Sequence, residues 1–249
     1  MVETKLTHDR SQAGFTLVEL AIVMIIIGLL IGGILKGQEL INNAQVTSTA
    51  SQIKAIEAAM TTFRDSYNAT PGDMVNPLQR LPNCAALPCS AVGDGNGRIA
   101  QAPGIIQAAG TEATRFWTHL AAADLIGGVD STSAVVATWG GQLPSTEIGG
   151  GFTIGYAANA AALTGTIAAN ATQGHYLALT LLPSGTAADV GNEALSPTQA
   201  ARIDRKLDDG VPGAGGVMGA EGTAGACGTA LLYAEATGGV ACNLYARIQ

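Results

Sequence analysis

The chain opens on a polar segment, residues 1–14, and then runs through aliphatic positions almost without interruption from Phe15 to Leu35. Wound as a helix at about 1.5 Å per residue, residues 15–35 reach roughly 31 Å, close to a ~30 Å hydrocarbon core. A secretory signal peptide has a shorter apolar region followed by a small-x-small cleavage site; here the run is longer and no Ala-x-Ala site follows. The pattern predicts a helix that crosses a membrane once. Further on, the apolar positions become periodic. Ile53, Ile56, Met60, Phe63 and Tyr67 recur at steps of three and four, which places them on one stripe of a helix. Residues 44–52 are small and polar, and are expected to be solvated or packed against neighbours. No proline interrupts before Pro71, so one helix over residues 15–67, roughly 80 Å long, is expected.

Asn68-Ala-Thr-Pro-Gly-Asp73 breaks that helix. Residues 74–110 are rich in Pro, Gly and Asn and read as an extended loop. A second, amphipathic helix is expected from a Thr111 cap to Ile126, stopped by Gly127-Gly128. Short β-branched or aromatic runs bounded by turn residues predict strands at residues 134–139, 151–157, 175–182, 230–234 and 242–247. Ser196-Pro197-Thr198-Gln199 has the form of a helix start, with an N-cap Ser, Pro at the first helical position and Gln completing a capping box; that helix is expected to end near Leu207. Residues 210–228, rich in Gly and Ala, read as loop. The order is α+β: a long helix followed by a small, mostly β head.

Composition sharpens this picture. Hydrophobic residues make up 47% and charged residues 12% of the 249, against about 25% charged in an ordinary soluble domain; the apolar excess sits in the N-terminal run. The net charge of −7 argues against nucleic-acid binding by bulk electrostatics, which needs clustered Lys and Arg. The four cysteines, Cys84, Cys89, Cys227 and Cys242, suggest two local disulfides if the head lies outside the cytoplasm; a four-thiolate zinc site and free thiols are the alternatives.

Candidate chemistry is sparse. There is no Walker loop, Gly-x-Ser-x-Gly elbow or His-Glu-x-x-His pair, and an enzyme reading has no support. His8, His119 and His175 are isolated in sequence. Asp94-Gly-Asn96 lies in a Gly-rich turn, a spacing that places two oxygens on one side of a loop as calcium sites do, with Asp73, Asp208 or Asp209 as further donors. The remaining oddity is Glu19, the one charge between Phe15 and Leu35. A carboxylate in lipid is expensive unless paired and points to function.

Gly14-Phe15-Thr16-Leu17-Val18-Glu19-Leu20 resembles the processing site of type IV pilins and type II secretion pseudopilins. The resemblance implies cleavage by prepilin peptidase between Gly14 and Phe15, N-methylation of Phe15, and an assembly role for Glu19. It implies a leader at residues 1–14, a transmembrane helix at 15–35, an amphipathic continuation at 36–67 and a periplasmic or extracellular head at 68–249, together a pilin-like lollipop. Implied partners are other pilin or pseudopilin subunits, an inner-membrane assembly platform and its ATPase. The Cys227 to Cys242 segment resembles the disulfide-bounded region of many pilins. The chain departs from the pattern in a weakly basic leader and in having Lys36 where many members carry proline. Gly28, Gly32, Gly33 and Gly37 have the spacing that lets helices approach closely.

Overall fold

In the computed structural model, residues 14–105, 108, 110–130, 137–163, 165, 167, 171–183 and 186–249 are described. The elements in chain order are α1 (Leu17–Tyr67), α2 (Pro77–Arg80), α3 (Glu112–Ala122), β1 (Gly151–Ala157), a 3-10 turn (Ala160–Ala162), β2 (Gly174–Thr180), α4 (Pro197–Leu207), β3 (Val217–Ala220) and β4 (Asn243–Ile248). The chain divides into two units, Met1–Asn43 and Ala44–Gln249. The first described part is the apolar half of α1, the one helix among the described residues long and apolar enough to cross a membrane. Its large side chains are exposed from Phe15 to Ile41.

The second unit is an α+β head, in which the polar-flanked half of α1 packs on a four-stranded antiparallel sheet of order β1-β2-β4-β3. The stripe expected on α1 is the buried one: Ile53, Ile56, Met60 and Phe63 join the main core. Val46, Thr49 and Ala50 are also buried. Residues 44–52, though small and polar, therefore extend the packed face by two turns. The alternation of each strand sorts its side chains onto two faces. Phe152, Ile154, Leu177, Leu179, Leu244 and Ile248 share the core with α1 and with Phe116, Trp117 and Leu120 of α3. On the opposite side Tyr176, Ala178, Met218 and Tyr245 form a second cluster. The register pairs Ile154 with Leu177 and Ala178 with Tyr245.

Local chemistry sets the boundaries. Ser196 and Gln199 make the expected capping box on α4, with Gln199 N donating to Ser196 Oγ at 3.2 Å and Ser196 N to Gln199 Oε1 at 2.9 Å. Thr111 caps α3 by accepting from Thr114 N at 3.4 Å. That helix stops at Ala122, short of the glycines. Asp124 takes the left-handed conformation (φ 56°) and Leu125 N donates back to Leu120 O at 3.0 Å, so an Asp supplies the C-terminal turn expected of Gly127. Gly72 (φ 85°) is demanded by packing: a Cβ there would lie 2.3 Å from Glu112 O.

Several strand and loop expectations need correction. Residues 230–234 form no strand; Tyr233 makes a single bridge to Gly228. Residues 210–228, expected as loop, contain β3, an edge strand that pairs with β4; Gly215 and Gly216 before it and Gly219 within it blur the alternation that would mark a strand. Leu182 lies beyond β2, which ends at Thr180. Of the strand expected at 134–139, residues 134–136 lie outside the described residues and 137–139 form no strand; Trp139 makes a single bridge to Leu143. Cys84 is joined to Cys89 and Cys227 to Cys242, with Cα–Cα distances of 5.3 and 4.9 Å.

Candidate functional site

The site is built at the start of α1. Gly14 has open space around its α-carbon, and Phe15 is 87% exposed. Thr16 precedes the first helical residue and accepts the first turn: Leu20 N donates to Thr16 O at 3.2 Å. Helix starts leave four amides unsatisfied. Here Glu19 N donates to Thr16 Oγ1 at 3.2 Å, while Thr16 N and Thr16 Oγ1 both donate to Glu19 Oε2, at 2.9 and 2.8 Å. The arrangement is a Thr-x-x-Glu capping box. It also places a negative charge at the positive end of the helix dipole.

The capping box accounts for how a carboxylate tolerates this position. One oxygen of Glu19 is fully occupied by Thr16. The other, Oε1, accepts no bond among the described residues and stays available to a donor from outside the helix. Below this point, α1 carries no charge until Lys36, whose Nζ bridges Glu39 at 2.7 Å.

The sequence around this box decides what it belongs to. Residues 9–35 match the prokaryotic N-terminal methylation motif. The chain carries the prepilin-type cleavage and methylation signal of type IV pilins and pseudopilins. No curated protein and no solved structure matches the chain. The match covers the leader's end and the apolar run, so the prepilin-type segment rests on its own motif and the head on its fold. Gly14, Phe15 and Glu19 all lie inside the matched stretch. Thr16 was not singled out from sequence, although Thr-x-x-Glu ahead of an apolar run is the capping-box signature.

A second cluster sits in the head. Asp73, Asp94 and Glu112, from three separate segments, bring carboxylate oxygens within 4.8 Å of one another. Asp73 holds the 93–98 turn by accepting from Gly95 N at 2.7 Å and Gly97 N at 2.6 Å. Asp94 accepts from Asn96 N at 3.0 Å and from Asn96 Nδ2 at 2.6 Å. Asn96 Oδ1 instead accepts from Arg98 N at 2.7 Å. The two oxygens expected to converge from Asp94 and Asn96 thus form a local turn, and Asp73 and Glu112 are the residues that meet Asp94. Burial raises the pKa of Asp73 and of Glu112, and the neighbouring carboxylates add to the rise in both. Asp208 and Asp209 lie elsewhere, beside Asp204. An all-oxygen donor set of this kind suits a hard cation such as calcium.

The two head histidines are structural. His119 is buried; its Nδ1 accepts from Gly72 N at 2.9 Å, which leaves Nε2 to donate to Cys89 O at 2.9 Å. It thereby ties α3 to the helix break and to the Cys84–Cys89 loop. His175 lies beside Arg64, with Arg64 Nη2 3.3 Å from its Nδ1. Burial lowers the pKa of each histidine to about 4.

Proposed function

We propose that this chain is a structural subunit of a type IV pilus or type II secretion pseudopilus, polymerised through α1. The observation that carries the reading is the Thr16–Glu19 capping box, placed directly after the Gly14–Phe15 junction of a prepilin-type signal. Cutting that junction creates an α-amine on Phe15. In a bundle of such helices, Glu19 Oε1 of one copy accepts from the Phe15 amine of its neighbour. Each charge then offsets the burial of the other, and the pair fixes an axial stagger. A lone buried charge would be unfavourable; a paired one specifies register.

On this reading the precursor inserts in the inner membrane through α1 with its head in the periplasm. Prepilin peptidase removes residues 1–14 and Phe15 is methylated. A platform and ATPase then draw the subunit into a periplasmic pseudopilus or a surface pilus. The chain performs no catalysis. A second role, as a minor tip subunit that binds a substrate, DNA or a surface, is favoured by Leu231 and Leu232, 74% and 73% exposed on the loop closed by Cys227–Cys242.

Mass spectrometry of the mature N-terminus tests the reading. It is expected to find methylated Phe15 as the first residue. A mature chain that starts elsewhere, or retains residues 1–14, contradicts it.

A further inference from the structure

The head contains a pocket lined by two arginines that make no ion pair among the described residues. It is a cavity of about 390 Å³ between the end of α1, the helix break and the 93–98 turn, and its lining includes Arg64, Asn68, Thr70 and Arg80. Arg64 sits in the last turn of α1 and is half-buried. Its neighbour there is His175, which is neutral at ordinary pH, not a carboxylate. Burial lowers the pKa of the Arg64 guanidinium, and no acid among the described residues counters it. Leaving a partly buried cation without a counter-charge is costly. Arg80, on α2, adds a second guanidinium with no ion pair among the described residues.

The acids close by are already committed. Asp73 lines the same cavity, but both of its oxygens accept backbone amides. Glu112 accepts from Ala100 N at 2.6 Å and lies 3.7 Å from Arg115. Asp94 is engaged by Asn96. These carboxylates keep their charge, but none lies in ion-pair contact with Arg64 or Arg80, whose remaining N–H donors are open to an anion from outside. Arg98, beside the cavity-lining Gly97, likewise pairs with no acid among the described residues; its guanidinium stacks 4.9 Å from the centre of the Tyr156 ring.

We propose that the Arg64–Arg80 pocket binds a carboxylate. Planar guanidinium groups match carboxylate geometry through paired N–H donors, and the Asn68 amide adds a neutral donor to the rim. The carboxylate belongs either to a small free acid or to an acidic side chain on a second copy of this chain; the latter source rests on the polymer reading above.

The probe is succinate, added to the processed full-length chain in detergent, with sodium chloride at equal ionic strength as reference. At 20 mM succinate the thermal midpoint is expected to rise by about 2 °C over the reference, because a ligand that binds only the folded state stabilises it. The rise is expected to vanish in Arg80→Ala, an exposed position that leaves the core untouched, and in Arg64→Gln, while Arg202→Ala retains it. Equal midpoints in succinate and chloride for the wild-type chain, or a rise retained in both pocket variants, overturn the proposal. Filament assays then assign the source. At least a tenfold loss of filaments in Arg80→Glu, with cleavage intact, places the carboxylate on a neighbouring copy; normal filaments with lost succinate binding place it on a free acid. Succinate binding is read on unassembled protein, so failure of the polymer reading leaves this test intact.

Discussion

His119 offers a quantitative test of how the head is held together. Its Nδ1 faces the Gly72 N–H, a group that can only donate. Burial is the main obstacle to charging the ring, and Arg115 nearby adds repulsion; protonation would also set a second N–H against that of Gly72. The imidazole therefore stays neutral in the fold until about pH 4, against an ordinary value of 6.5. The sign follows from proton binding: below pH 6.5 the unfolded chain takes up a proton that the folded chain refuses, so stability falls as pH drops from 6.5 to 4. At pH 4.5 the loss from this residue is about 2–3 kcal/mol. His175 acts in the same direction. Asp204 opposes both, because burial raises its pKa to about 6, and Asp73 and Glu112 add to that opposition. The wild-type profile alone therefore mixes the terms, and a comparison isolates one. In His119→Asn the side chain does not titrate and retains an acceptor for Gly72. Urea denaturation of a soluble Ala44–Gln249 fragment is the assay. At pH 7 the variant is expected to be less stable by about 1–3 kcal/mol, for the lost bond to Cys89 O. At pH 4.5 that deficit is expected to shrink by about 2–3 kcal/mol. A deficit equal at both pH values would refute the assigned hydrogen bonds.

Two further expectations concern the head. Phe63 is fully buried where α1 meets α3, with its ring 4.7 Å from Tyr67 and 6.3 Å from His119; Phe63→Ala is expected to cost about 3–5 kcal/mol in the same fragment, and a loss below 1 kcal/mol would show that α1 is not part of the core. For the proposed calcium site, millimolar calcium is expected to raise the melting midpoint over chelator by about 3 °C in the wild-type head and not in Asp94→Asn, whereas equal wild-type midpoints would remove calcium from the account.

The sequence made some of this legible and hid the rest for identifiable reasons. The apolar run and the stripe through Ile53, Met60 and Phe63 are long-range periodic signals, and they locate α1 to within two residues. Ser196-Pro197-Thr198-Gln199 encodes a cap in its own side chains, so α4 is read without knowledge of its surroundings. β3 carries no such signal. Val217-Met-Gly-Ala220 is strand because β4 lies beside it, a non-local fact invisible to a window of glycines and alanines. The Asp94–Asn96 turn was legible only in part. Its spacing was legible, but the direction of the Asn96 oxygen depends on the Arg98 amide, and the arrival of Glu112 depends on how α3 packs. Glu19 was legible as an anomaly; that Thr16 already satisfies one of its oxygens follows only from the helix geometry.

The central claim is that Glu19 serves assembly, and Glu19→Ala tests it most directly. The substitution removes the one charge in the apolar half of α1 and so makes membrane insertion easier; the cost of losing the capping box is about 1 kcal/mol at one helix end. Quantifying sheared filaments beside the membrane-held, processed subunit separates the two effects. The account predicts a stable chain, cut after Gly14 and resident in the membrane, with filaments absent. Wild-type amounts of filament from Glu19→Ala would contradict it.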